Sequence, residues 1–185
     1  MRKLILQSMV TLDGYFASPD GKLDWHVVDA ELNDYACELL DAVDGLLFGG
    51  ATYACLAAYW STPAAAHDAP EVAERMNRLP KFVFSRTRQR VDWHAAQLCT
   101  GDAVAEVERL KREPGGALAM FGSSRLASSL IAAELIDEFR IIVNPVILGR
   151  GRPLFSDIRN RLSLRLCRIR PLRSGSVLLY YQPEH

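Results

Sequence analysis

The chain has only four cysteines, and none belongs to a C-x-x-C pair. That excludes a zinc ribbon and a thioredoxin-type site. Cys37, Cys55, Cys99 and Cys167 lie far apart and read as small hydrophobes of a reducing compartment. Long apolar runs are missing too. No stretch approaches the roughly 18 apolar residues of a membrane span. The apolar start is broken by Gln7 and Ser8, so it reads as a first strand and not as a signal peptide. A cytoplasmic protein with no membrane partner is expected. The chain also has no H-x-E motif with P-C-x-x-C, which excludes a zinc nucleoside deaminase. No metal site is expected. Finally, there is no net charge, because 22 basic side chains balance 22 acidic ones.

What is present is a chain of 185 residues, 49% of them apolar. That length suits one domain over residues 1–185, large enough to bury a core. The neutral total hides a split. Residues 1–74 carry three basic and twelve acidic side chains, and residues 75–185 carry nineteen and ten. The basic part could hold an anion, but composition alone favours two sets of solvated charges.

Leu4 to Leu12 is rich in strand formers and reads as a buried strand. Asp13-Gly14 and Ser18-Pro19-Asp20-Gly21 are turn chemistry, so residues 13–28 form a long loop. Leu32, Tyr35, Ala36, Leu39, Leu40 and Val43 recur at helical spacing, predicting a helix over 30–43. A short strand over 45–50 ends in Gly49-Gly50, and a helix over 51–60 follows. Another helix starts at Asp68-Ala69-Pro70. Lys81 to Ser85 and residues 96–99 read as strands. Asp102 caps a helix through Arg112. Ala117 to Phe121 is a strand, and a helix runs from Ser124 to about Glu134. Phe139 to Ile147 is a strand interrupted by Pro145. Leu162, Leu164 and Leu166 alternate with polar residues, and then Ile169 takes the opposite phase, which predicts a bulge. Arg173 to Ser176 is a hairpin turn, and Val177 to Gln182 the returning strand. The pattern is α/β: a mixed, mainly parallel sheet flanked by helices, closed by a C-terminal antiparallel hairpin.

Three segments share one design, a buried strand followed by a small or hydroxylated turn. They are Leu46–Thr52, Phe82–Thr87 and Ala117–Leu126. In parallel sheets, ligands bind outside the carboxyl ends of the strands. Backbone N–H groups at a helix N-terminus favour a phosphate there. Gly122-Ser123-Ser124 before Arg125 fits best, and Ser85-Arg86-Thr87 offers two hydroxyls and a guanidinium. Each turn alone reads first as a plain tight turn or a helix cap. Three at successive strand ends point to a nucleotide site.

From end to end the chain resembles the dihydrofolate-reductase-like superfamily. The closest branch is the bacterial one related to the C-terminal reductase domain of the bifunctional riboflavin-biosynthesis enzyme. The resemblance is carried by Thr11-Leu12-Asp13-Gly14-Tyr15-Phe16-Ala17, Asp24-Trp25, Leu47-Phe48-Gly49-Gly50-Ala51-Thr52-Tyr53 and Lys81-Phe82-Val83-Phe84-Ser85-Arg86-Thr87. Further on it is carried by Phe121-Gly122-Ser123-Ser124, Glu134 to Phe139, Asn144 to Gly151, and Leu154-Phe155. The resemblance implies a reductase that binds NADPH. Gly49, Gly50, Ala51 and Thr52 would lie against the cofactor. Ser85, Arg86 and Thr87 would surround the adenosine 2′-phosphate, while Phe121, Gly122, Ser123, Ser124 and Arg125 would hold the pyrophosphate. The loop from Asp13 to Phe16 would approach the nicotinamide, with Phe16 and Trp25 on the substrate. The family usually has Arg where this chain has Gly50, which leaves NADH open; Arg86 and Arg88 are the compensating cations.

Folate reductases place a carboxylate on the first helix; counting back from Gly49, the corresponding position falls near Asn33 or Asp34, and Asp34 is the candidate carboxylate. The helix phase turns Leu32 and Tyr35 inward and favours a solvated Asp34. Asp13 is a second candidate, against a plain turn former. Trp25 and His26 are pocket candidates in the long loop. The expected function is NAD(P)H-dependent hydride transfer to a small heterocycle, either a pterin or a phosphorylated ribosylaminopyrimidine of riboflavin biosynthesis. The alternative is a nucleotide-binding or regulatory protein without turnover. Nucleic-acid binding through the arginines of residues 140–173 ranks lower, because aromatic residues are sparse among them. A homodimer through the apolar C-terminal hairpin is expected, against the reading that Val177 to Tyr181 fill the core.

Overall fold

The structure is a computed structural model, and it describes residues 1–184. The strands are β1 (Leu4–Thr11), β2 (Tyr15–Ala17), β3 (Val43–Gly49), β4 (Lys81–Phe84), β5 (Ala96–Cys99), β6 (Ala117–Phe121), β7 (Glu138–Asn144), β8 (Arg152–Pro153), β9 (Leu164–Pro171) and β10 (Val177–Pro183). The helices are α1 (Ala30–Asp41), α2 (Gly50–Trp60), α3 (Pro63–Asp68), α4 (Pro70–Arg78), α5 (Ala103–Arg112) and α6 (Ser124–Ala132).

Eight strands form one sheet in the order β5-β4-β3-β6-β1-β7-β10-β9. All pairs from β5 to β7 are parallel, and β10 runs antiparallel to both β7 and β9. β1 is central, so its LILQSMVT run is buried on both faces. Strand alternation feeds two cores. Ile5, Leu46, Phe48, Ala119 and Ile142 face α1 and α4. Leu4, Leu6, Leu47, Leu118 and Phe139 face α5 and α6.

Helix starts follow local chemistry. Asp29 accepts from the Leu32 N–H at 2.8 Å, Asp102 from the Ala105 N–H at 2.9 Å, and Thr62 caps α3. Pro70 opens α4, where a missing N–H costs nothing.

The structure departs from the sequence reading in four places. The long loop after β1 contains β2, which pairs antiparallel with the two-residue β8. Its register is set by contact across 135 residues and has no local signal. α3 adds a helix between two prolines. α6 stops at Ala132, where Glu134 takes a left-handed φ of 56°. β7 stops at Asn144, before Pro145.

The bulge in β9 is present: Tyr180 pairs with Arg168 and Tyr181 with Leu166, leaving Cys167 unpaired. β10 is an interior strand with Leu178 and Tyr180 buried and Val177, Leu179 and Tyr181 half-buried, and β9 forms the edge. No described helix is long and apolar enough to cross a membrane.

Candidate functional site

β4, β3 and β6 are neighbours in the sheet and parallel, so their carboxyl ends lie side by side. The three candidate turns, up to 75 residues apart in sequence, therefore form one wall. A cleft runs along it and continues past the end of β1 to α1. This is the usual place for a ligand on an open α/β sheet.

The first turn joins β3 to α2. Gly49 lies so close to the third turn that a Cβ on it would stand 2.0 Å from Ser123 Oγ. A Cβ on Gly50 would meet Ser85 Oγ at 3.0 Å and Arg88 Nε at 3.8 Å. α2 has no side-chain cap, so its first N–H groups remain available to a ligand.

The second turn follows β4. Ser85 Oγ accepts from the Arg88 N–H at 3.2 Å and the Thr87 N–H at 3.4 Å, which folds the loop back on itself. Arg88 reaches across to α2. Its Nε donates to the Gly50 carbonyl at 3.3 Å, and its guanidinium lies 5.0 Å from the Tyr53 ring centre. The Tyr53 hydroxyl in turn accepts from the Asp92 and Trp93 N–H groups at 2.9 and 3.0 Å. Arg86 and Thr87 are exposed beside it.

The third turn joins β6 to α6. Gly122 and Ser123 both have left-handed φ values, 53° and 66°. Left-handed backbone at both residues makes the tight turn that sets the N-terminus of α6 at the end of β6. For Ser123 that conformation is uncommon and costs energy, and such strain gathers at functional sites. α6 also has no side-chain cap. Among the described helices α1, α3 and α5 carry side-chain caps and α2, α4 and α6 do not; the N-termini of α2 and α6 open on the cleft beside the glycine turns.

Gly49, Gly50, Ala51, Thr52, Ser85, Arg86, Thr87, Phe121, Gly122, Ser123, Ser124 and Arg125 all line this cleft, and so does Phe16. Three candidates do not. Asp34 is exposed on α1, and its neighbour Asn33 lines the cleft instead. Asp13 is a structural staple. Its carboxylate accepts from Thr11 Oγ1 at 2.6 Å, the Gly149 N–H at 2.8 Å and the Leu148 N–H at 3.2 Å. Those bonds, led by Thr11, hold its carboxyl below the ordinary value. Trp25 stands behind the cleft, edge-on to His26 with ring centres 4.3 Å apart.

His26 is the residue of that pair that lines the cleft. Its Nε2 is buried and has no hydrogen-bond partner among the described residues. Burial lowers its pKa to about 4, so the imidazole is neutral at neutral pH. The adjacent Val27 N–H donates to Asn144 Oδ1 at 3.3 Å. Asn144 is fully buried and donates to the Val10 carbonyl at 3.3 Å, tying the loop to β1 and β7. Sequence reading named His26 without preferring it. It had no means of finding Asn144 as its support.

The chain is similar to known proteins along nearly its whole length. The model of the RibD C-terminal domain family matches residues 2–178. The uncharacterised protein YyaP of Bacillus subtilis is 31% identical over 184 residues, covering 97% of this chain and 94% of its own. Among solved structures, a Shewanella sp. PV-4 protein assigned to riboflavin biosynthesis superposes with a TM-score of 0.76 at 23% identity, covering 99% of both chains. The Enterococcus faecalis dihydrofolate reductase complexed with NADP(H) superposes with a TM-score of 0.68 at 15% identity, covering 99% of this chain and 97% of that one.

Proposed function

The chain belongs to the RibD C-terminal domain family, and from that premise we propose that it is an NAD(P)H-dependent oxidoreductase reducing a conjugated C=N or C=O group of a small heterocycle. The observation that carries this reading is the meeting of three anion-suited turns on one cleft wall, two of them at uncapped helix N-termini. The residues present fit a dinucleotide. The Gly122–Arg125 turn supplies N–H groups to a pyrophosphate. Ser85, Thr87, Arg86 and Arg88 supply hydroxyls and cations to a 2′-phosphate. Gly49 and Gly50 let the backbone approach closely. When bound, such a cofactor supplies a hydride, and the reduced heteroatom takes its proton from water or an acid.

We read the preference as NADPH over NADH. Arg88 occupies the space beside Gly50, so the loop after β4 brings the cation that α2 lacks. Fluorescence titration tests this. NADPH should bind, and Arg88→Met should weaken NADPH about tenfold with little effect on NADH, as expected for loss of one charge-assisted contact. Equal losses for both cofactors would place Arg88 outside the 2′-phosphate site. Binding of neither would remove the reading.

A nucleotide-binding protein without turnover is the second reading. It is favoured by the absence of Asp13 and Asp34 from the cleft lining. NADPH that binds but is not oxidised with any heterocycle tried would select it.

A further inference from the structure

α2 is an unusual helix. Its sequence GATYACLAAYW has no charged residue, yet of these eleven only Tyr53 is buried. A helix that is apolar all round normally lies inside a protein. Thr52, Cys55, Leu56, Tyr59 and Trp60 follow i, i+3, i+4, i+7, i+8 spacing and all line the cleft; Cys55 and Tyr59 are exposed, while Leu56 and Trp60 are half-buried and also pack against the core. Ala36 and Leu39 of α1 and Val72 and Met76 of α4 line it as well. The cleft thus continues beyond the phosphate turns into a lobe walled by three helices.

Charge is distributed unevenly along the cleft. Its cations are Arg86, Arg88, Arg125 and Arg152. The first three stand on the phosphate turns. Arg152 is on β8 and donates to the Pro19 carbonyl at 3.2 and 3.3 Å. The carboxylates lining the cleft are Asp68 and Asp102. Asp68 accepts from the Tyr59 hydroxyl at 3.1 Å, and Asp102 caps α5. The walls given by α1, α2 and α4 therefore offer a ligand neither a guanidinium nor a free carboxylate. A phosphate monoester needs the first. An aminopyrimidine edge pairs best with the second. Two polar atoms of cleft-lining residues are buried without a partner among the described residues: His26 Nε2, three residues before the cap of α1, and the Tyr35 hydroxyl on α1.

We propose that the substrate end of this cleft takes an uncharged conjugated molecule with an apolar group, seated on the Leu56–Tyr59 stripe of α2 and hydrogen-bonded by His26. The proposal rests on the reductase reading and narrows its substrate. It sets aside a carboxylate-paired heterocycle and one whose phosphate lies against α1, α2 or α4.

The probe is N-phenyl-1-naphthylamine, which is uncharged and brightens in apolar surroundings. Its anionic analogue, 1-anilinonaphthalene-8-sulfonate, is the control, and calorimetry follows NADPH separately. The uncharged probe should bind saturably, one per chain, at least tenfold tighter than the anion. Leu56→Gln and Tyr59→Lys should each weaken it tenfold or more while NADPH affinity stays unchanged, which also reports a retained fold. Three results overturn the proposal: no saturable binding, equal or better binding of the anion, or no effect of either variant. A fourth is a parent dimer that Leu56→Gln converts to a monomer in sedimentation, since a second copy then covers α2. NADPH binding without probe binding overturns this proposal alone. Failure of NADPH to bind overturns the reductase reading.

Discussion

Single residues set the chemistry of the cleft through what surrounds them. His26 has no charged partner; burial alone lowers its pKa to about 4. An unfolded chain returns it to the ordinary value near 6.5. Between these values the unfolded state binds a proton that the native state does not. The stability from keeping His26 neutral is therefore complete above pH 6.5 and is lost as pH falls toward 4. A shift of that size corresponds to roughly 3 kcal/mol, with about 2 kcal/mol gone by pH 5. His26→Gln should lose less stability than the parent between pH 7 and pH 5, measured by urea denaturation. Identical pH profiles would show that the imidazole is solvated. Two lysines show why residue roles were hard to read from sequence. Lys81 opens a strand and Lys111 stands in the last turn of a helix, places where nothing in the local sequence signals burial. Lys81 is wholly buried and donates to the Asn77, Leu79 and His94 carbonyls at 3.0, 2.7 and 3.0 Å. Lys111 donates to the Leu135 carbonyl at 2.6 Å and pairs with Asp137. Their partners come from elsewhere in the fold.

At the scale of elements, the site depends on two turns meeting. Gly49 has an ordinary φ of −74°, so its lack of a side chain is a matter of space and not of backbone freedom. A methyl there meets Ser123 Oγ at 2.0 Å and Ser123 Cβ at 3.1 Å. Gly49→Ala should cost about 1–3 kcal/mol and weaken NADPH, because the first and third turns must separate. Adding Ser123→Ala removes the nearer atom and should restore part of both. A double-mutant cycle by thermal unfolding and cofactor titration measures this coupling. Additive losses would mean that the turns move independently. The elements themselves were legible, since strand and helix periods, Asp102, Pro114-Gly115-Gly116 and the phase flip at Cys167 are local signals. The turns after β3, β4 and β6 were legible as glycine- and hydroxyl-rich turns at strand ends for the same reason, and the structure brings them to one cleft. The α2 stripe was present as spacing but invisible as a site, because apolar spacing ordinarily marks core. Asp34 shows the converse: its helix phase already pointed outward, and the structure exposes it.

Across the whole molecule, the charge split of the chain becomes contact between its two ends. The acidic first part supplies Glu31 and Glu38 on α1, and the basic last part supplies Arg170 and Arg173. Arg170 meets Glu38 at 2.8 Å, and Arg173 meets Glu31 at 3.5 Å. Such exposed pairs are each worth under about 1 kcal/mol, so they orient α1 over the sheet more than they stabilise it. The remaining arginines of β9 have another effect. β9 is an eight-residue edge strand with an unpaired outer rim, and Leu166 and Ile169 are 43% and 54% exposed on it. A rim of that length is a template for another chain. Here it is interrupted by the Cys167 bulge, ended by Pro171, and charged by Arg165 and Arg168. Arg165 donates to Gln182 at 3.1 Å, and Arg168 lies 5.3 Å from the Tyr180 ring centre, so both guanidiniums are held along the edge. Replacing both with Thr keeps β propensity and removes the repulsion between two such edges. The variant should self-associate at concentrations where the parent does not, seen as a concentration-dependent rise in sedimentation coefficient. It should also lose the dependence on salt that the charged edge imposes, since screening mimics the substitution. A variant that sediments like the parent at every salt concentration would mean that the bulge and Pro171 protect the edge without help from the arginines.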